Sequence, residues 1–218
     1  GITRLLIDSG ADLREQLIDI AATTIDGVLY THDHADHIHG IDDLRVVAIR
    51  RRKRVPVYAD RRTASELKKR FLYCFETPPG SGYPPILDLH EMAPGAPVTI
   101  DGDGGQITAL PFEQDHGDIV SLGFRIGRLA YSSDLHDLPA ASAAALDGID
   151  TWIVDALRWR PHPTHFCVDD AVSWINRVKP ARGVLTNMHM DLDYRTLANV
   201  LPEGVVPAFD GMQLTVSE

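Results

Sequence analysis

Cysteine is nearly absent. Cys74 and Cys167 are the only two in 218 residues. That is too few for a disulfide framework, so a reducing cytoplasm is the expected setting. No apolar run approaches the roughly 18 residues that a membrane-spanning helix needs, and no signal-peptide pattern is visible. Positive charge is in deficit: 21 Lys and Arg stand against 31 Asp and Glu, a formal net charge of −10. Nucleic-acid binders usually show a basic face, so a long nucleic acid is not expected as a partner. The first residue is Gly1 rather than a methionine, and an N-terminal segment missing from this sequence is one expectation.

What remains is ordinary for a globular chain, with 44% hydrophobic and 24% charged residues. The length suits one large domain, taken as residues 1–218. The one basic run is Arg50-Arg51-Arg52-Lys53-Arg54. Its plain reading is the solvated C-terminal end of a helix, where cations complement the dipole. The alternative is a docking patch for an anionic substrate.

The chain is organised around Thr31-His32-Asp33-His34-Ala35-Asp36-His37. Val28-Leu29-Tyr30 leads into it as a buried strand, which puts the cluster in the loop at the strand's end. Residues i and i+2 of an extended segment point the same way, so His32 and His34 can hold one metal together. A turn then lets Asp36 and His37 face a second. Imidazole with carboxylate suits zinc, manganese or iron.

This stretch resembles the H-x-H-x-D-H signature of the metallo-β-lactamase-fold hydrolases, which supplies ligands to a two-metal site. The continuation from Asp36 to Arg45 reads D-H-x-x-G-x-D-D-L-R. It resembles the branch that contains the phosphoribosyl cyclic phosphodiesterase of phosphonate breakdown. The resemblance implies an α/β protein with an αββα four-layer sandwich of two mixed sheets, helices covering their outer faces. Periodicity alone shows only a mixture of helices and strands. Strands are expected at Arg4–Asp8, Val55–Ala59, Val98–Ile100, Gln106–Phe112, Leu122–Ile126, Leu129–Ser132, Trp152–Asp155, Gly183–Thr186, Val205–Pro207 and Gln213–Val216. Helices are expected at Asp12–Ile20, Ile41–Arg52, Pro139–Leu146 and Val168–Val178, with another opened by a capping box at Thr63–Glu66. Pro78–Pro85 must be loop; Tyr83 is its one candidate for touching a substrate. Asp8 either stands behind a metal-binding histidine as its hydrogen-bond partner or caps the next turn, and the cap is preferred.

Three further places, each just after a strand-like run, offer ligands. By the resemblance, His116 completes the first metal with His32 and His34. Asp134 bridges both metals, its plain alternative being a helix N-cap. His189 is the last ligand, joining Asp36 and His37. Many relatives carry a histidine where this chain has Asn187, which leaves His189 as the histidine available there. Two divalent ions, zinc or manganese, are therefore expected. A water bridging them would ionise near neutral pH, and metals about 4 Å apart can hold both the nucleophile and a developing phosphorane oxygen. The leaving oxygen needs a proton. Aligning the helices with ribonuclease Z selects His165, with His162 as runner-up, while His136 is only a candidate substrate contact. Cys167 reads as a packing residue.

Asp36, Asp134 and His165 are thus expected to carry the chemistry of a dinuclear metal-dependent phosphodiesterase. Its substrate would be a small, possibly cyclic, nucleotide or sugar phosphodiester. One alternative is a lactone or thioester hydrolase on the same metals, another a ribonuclease Z-like endonuclease, and a third a metal-binding protein without turnover. Expected partners are a small phosphodiester and no membrane, with a homodimer left open.

Overall fold

The computed structural model describes residues 1–216. The chain forms two compact units, Gly1–Thr108 and the residues from Ala109 onward.

The first unit holds a four-stranded sheet, β1 (Leu5–Ile7), β2 (Gly27–Leu29), β3 (Val55–Ala59) and β4 (Leu87–Glu91), in that spatial order. All of its pairs are parallel. The sheet is therefore not the mixed one the sequence suggested, because each strand is followed by a crossover that reverses the chain. The crossovers carry α1 (Leu13–Asp19), α2 (Ala35–Ile38), α3 (Leu44–Arg51) and α4 (Arg61–Phe75). Val28, Tyr30, Ile38, Ile41, Leu44, Val57 and Leu67 build its core. α4 starts a turn earlier than the Thr63–Glu66 box implied: Asp60 is its N-cap, its carboxylate accepting from the Thr63 amide at 2.8 Å. The basic run falls at the end of α3 as its plain reading had it. Arg51 pairs with the buried Asp26 at 2.9 Å and Arg54 with Asp88 at 3.0 Å.

The second sheet has seven strands, ordered β11-β10-β9-β8-β7-β6-β5. These are β5 (Val98–Gly102), β6 (Gly105–His116), β7 (Ile119–Ile126), β8 (Leu129–Ser132), β9 (Thr151–Asp155), β10 (Arg182–Thr186) and β11 (Val205–Pro207). It is mixed: β6, β7 and β8 run antiparallel, while β8 to β11 run parallel. β5 and the first residues of β6 fall within the first unit, and helices α5 (Ala140–Ala143), α6 (Val168–Val178) and α7 (Tyr194–Val200) within the second. Trp152, Val154, Phe166, Ala171, Leu185 and Leu197 form its core. The expected strand at Gln213–Val216 is absent, and those residues take no regular structure. Among the described residues no strand pairs with this four-residue run to satisfy its backbone groups. No helix among the described residues is long and apolar enough to cross a membrane.

Candidate metal centre

In the first unit the Thr31–His37 loop leaves the carboxyl end of β2. His34 is extended (φ −69°, ψ 154°) and is the N-cap of α2, so the chain turns into a helix between His34 and Asp36. The turn anticipated from the motif is thus made by α2. The ring centroids of His34 and His37 lie 4.5 and 4.3 Å from that of His32. Asp36 Oδ2 is 3.4 Å from His37 Nε2, on a carboxylate that is 72% exposed.

Asp8 holds this cluster from behind. It accepts from the Thr31 amide and from Thr31 Oγ1, both at 2.8 Å, and its Oδ2 lies 2.7 Å from His37 Nδ1. The preferred reading of Asp8 as a turn cap is therefore corrected: it is the carboxylate behind a histidine. Thr31 spends its hydroxyl proton on Asp8, so the 2.9 Å contact between Thr31 Oγ1 and His32 Nδ1 is donated by the imidazole. His32 and His37 are both set as Nδ1–H tautomers. Their Nε2 lone pairs are then the metal-competent ones, as in metal sites generally.

The glycine of the motif has a steric cause. A Cβ on Gly40 would sit 2.0 Å from the Gly10 carbonyl oxygen. Gly40 N–H meets the Ser9 carbonyl at 2.8 Å, and Ser9 N–H meets that of His37 at 2.7 Å. The aspartate and arginine that close the motif pair with each other, Arg45 Nη2 to Asp42 Oδ1 at 2.6 Å.

In the second unit His116 ends β6. Its Nδ1 donates to the Thr164 carbonyl at 2.7 Å, and its Nε2 is 3.7 Å from Asp134 Oδ2. Asp134 is buried and left-handed, with φ +54°. Its Oδ1 accepts from Ser133 Oγ at 2.7 Å and Asn187 Nδ2 at 2.9 Å. That leaves Oδ2 facing the imidazoles of His116 and of His165, whose Nε2 is 3.9 Å away. His165 Nδ1 is 2.8 Å from Asp155 Oδ2. Asp155 is fully buried at the end of β9, and burial pushes its carboxyl up to about 6, with His165 pulling against that rise.

His162 stands beside His165, ring centroids 5.1 Å apart. Its Nδ1 accepts from the Thr164 amide at 3.3 Å. Burial, then the charges of His165, Arg158, His116 and His136, hold its imidazole below the usual range. His136 is exposed.

His189, expected as the last ligand, stands at the surface in this structure. Its side chain is 55% exposed and pairs with Asp191 at 2.8 Å, and it is not among the residues whose ligand atoms gather about Asp134. Asn187, in the left-handed region at φ +59°, reaches Asp134 in its stead. The turn after β10 therefore presents residue 187 to Asp134. Asp155 and Asn187 were not among the candidate site residues, yet they bond to His165 and Asp134. The sign for Asp155 was available, since it is a carboxylate ending an apolar strand, as was the case for Asp134.

The donor sets fit divalent metals: neutral imidazoles with their rear nitrogens engaged, and carboxylate oxygens beside them. A family model for the beta-lactamase superfamily domain matches residues 3–190. A solved diphosphatase from the PhnP family is 33% identical. The match covers 98% of this chain and 80% of that one, with a TM-score of 0.87. The short form of human tRNase Z is 18% identical over 98% of this chain and 88% of its own, with a TM-score of 0.72, which shows the fold alone. A protein of Porphyromonas gingivalis named octanoyltransferase is 30% identical over 99% of this chain, which spans 43% of that protein's length. The chain belongs to the beta-lactamase superfamily domain family and is a metal-dependent hydrolase of the metallo-β-lactamase fold, related to the PhnP family.

Proposed function

We propose that this hydrolase is a dinuclear phosphodiesterase acting on a small nucleotide or sugar phosphodiester, cyclic substrates included. The observation that carries the reading is His165, an imidazole whose Nδ1 rests on the buried Asp155 and whose Nε2 faces Asp134. Ester or lactone cleavage has less need of such an acid. Cleavage of a phosphodiester must supply a proton to a departing alkoxide.

His32, His34 and His116 would hold one ion and Asp36 with His37 the other, Asp134 being shared. Zinc and manganese both suit these donors. When bound, the ions would lower the pKa of a water and polarise the phosphoryl oxygens. The chain supplies the rest. Thr31, Asp8 and the Thr164 carbonyl fix the imidazole tautomers. Ser133 and Asn187 hold Asp134 by one oxygen and so orient the other. Asp155 orients His165 and stabilises its imidazolium, and His165 Nε2 gives the proton to the leaving oxygen. A cytoplasmic setting belongs to this reading and agrees with two cysteines that are both free and buried.

The test is turnover of bis-p-nitrophenyl phosphate by protein loaded with zinc or manganese. Wild type should turn over, Asp134→Ala should be inactive, and His165→Ala should lose roughly 10²- to 10⁴-fold in kcat. A wild-type protein that binds two metals and cleaves no phosphodiester would refute the reading. The second reading, a thioester or lactone hydrolase, is favoured by the octanoyltransferase name of the relative from Porphyromonas gingivalis. Acyl chemistry would show as thioester turnover insensitive to His165→Ala.

A further inference from the structure

Asp33 stands between His32 and His34 and is not among the residues whose ligand atoms gather for an ion. The two imidazoles approach each other, ring centroids 4.5 Å apart, whereas the Asp33 side chain turns to α4. Neighbouring residues of an extended segment point to opposite sides, so the backbone itself dictates this alternation. The Asp33 carboxylate is only 8% exposed. A buried carboxylate is costly unless it is paired and hydrogen-bonded.

Arg70 of α4 supplies the pairing. Its Nη1 donates to the backbone carbonyl of Asp33 at 2.8 Å, and its Nη2 to Asp33 Oδ2 at 3.1 Å. The guanidinium is a rigid planar fork, so it holds the main chain and the side chain of one residue together. Asp33 Oδ1 makes no hydrogen bond and faces Arg62 Nε at 3.7 Å. Glu66 Oε2 steadies Arg70 Nη2 at 3.5 Å. Arg62, Glu66 and Arg70 occupy every fourth position of α4 and so share one face. The helix is anchored by other residues: Thr63, Ala64, Leu67, Cys74 and Phe75 are its buried ones.

A pair of this kind is a poor device for stability, since well-packed apolar residues of similar volume often serve a buried site as well or better. What apolar residues cannot do is hold a peptide plane. The carbonyl that Arg70 grips belongs to the peptide joining Asp33 to His34. Peptide groups are rigid planes linked by two soft dihedrals. His34 is also the N-cap of α2. With the plane fixed on one side and the helix on the other, the direction in which His34 leaves the backbone is set. We propose that Arg70 is a positioning residue of the metal centre: its fork on Asp33 locks the peptide before His34 and so holds His34 beside His32 for a shared ion. The inference rests on the assignment of His32 and His34 to one ion and not on the identity of the substrate.

The experiment is zinc titration of the full metal-free chain against a chromogenic chelator. Cobalt(II) absorption reports the ligand geometry, and thermal unfolding of the metal-free protein is read alongside. Arg70→Met should weaken zinc binding at one site by about 10- to 100-fold and change the cobalt d–d bands in position or intensity. It should also lower Tm, because the Asp33 carboxylate is left buried and unpaired. The double variant Asp33→Ala/Arg70→Met removes that carboxylate. It should regain most of the Tm, yet keep the weakened affinity and the altered spectrum. Asp60→Ala destabilises the same helix at its N-cap. It should lower Tm and leave affinity and spectrum as in wild type. An Arg70→Met chain with wild-type zinc affinity and cobalt spectrum overturns the proposal. So does a double variant that regains affinity together with its Tm, or an Asp60→Ala chain that loses as much affinity, since either makes stability the cause. Wild-type affinity in His34→Ala would remove the ligand assignment and the proposal with it. Turnover of bis-p-nitrophenyl phosphate by wild type decides the phosphodiesterase reading separately.

Discussion

Asp8, Asp134 and Asn187 share a backbone property. Each stands within two residues of a strand end with φ between +54° and +59°. Such a conformation costs of order 1–3 kcal/mol for a residue with a side chain, and aspartate and asparagine tolerate it best. The kink aims a short polar side chain across the end of the sheet instead of along its face. Asp155 follows no such kink, and its cost is electrostatic instead. Its carboxyl has an ordinary pKa of 3.8 and is pushed up to about 6 by burial. The folded chain therefore binds that proton more tightly than the unfolded chain does. The stability from this group is fully present below about pH 3.8 and is lost as pH rises through about 6. A displacement of that size corresponds to roughly 3 kcal/mol at neutral pH. Asp155→Asn should remove the dependence, so the variant gains on wild type between pH 4 and pH 7 in denaturant unfolding of the metal-free protein. Parallel curves across that range would sink the idea. The same variant should lose kcat with little change in KM, because an amide does not stabilise the His165 imidazolium.

At the scale of elements, helix starts and close approaches decide the local stability. Asp60→Ala removes the N-cap of α4 and should cost about 1 kcal/mol in chemical denaturation. Glu66→Ala should cost much less, since Glu66 only pairs on the surface with Lys69 and Arg70. Equal losses would restore the cap to the Thr63–Glu66 box. Gly40→Ala drives a methyl into the Gly10 carbonyl. It should lower metal content, read by elemental analysis, because Ser9 and Gly40 brace the backbone of His37. These elements also show where reading the chain succeeds. Val28-Leu29-Tyr30 and the motif after it are legible, since a buried strand and closely spaced ligands leave local signals. His116, Asp134 and His165 are legible because each stands beside a strand end or a helix start. The cap at Asp60 competed with an equally good pattern three residues later. Residue 187 against 189 depends on one left-handed residue after β10, which a lone asparagine does not announce. β4 carries Asp88, His90 and Glu91 and so hides its strand character, although it pairs with β3 along five residues.

For the whole molecule the decisive variable is metal occupancy. Three imidazoles, those of His32, His37 and His116, have their Nδ1 atoms engaged by Thr31, Asp8 and the Thr164 carbonyl. The donors are therefore oriented before any ion arrives, and metal removal should leave secondary structure intact while lowering stability. A ligand that binds only the folded chain at a thousand times its Kd adds about 4 kcal/mol. Stripping with a chelator should thus lower Tm by several degrees, and zinc or manganese should restore it. The gain must fade in acid, because histidine ligands bind only when neutral. Metal should therefore raise Tm strongly at about pH 7.5 and hardly at all at about pH 5. The mutant His116→Ala should show a smaller metal-induced rise at every pH, whereas His189→Ala should match wild type. A loss in His189→Ala as large as in His116→Ala would return residue 189 to the ligand set, and with it the turn after β10 to the arrangement the sequence suggested.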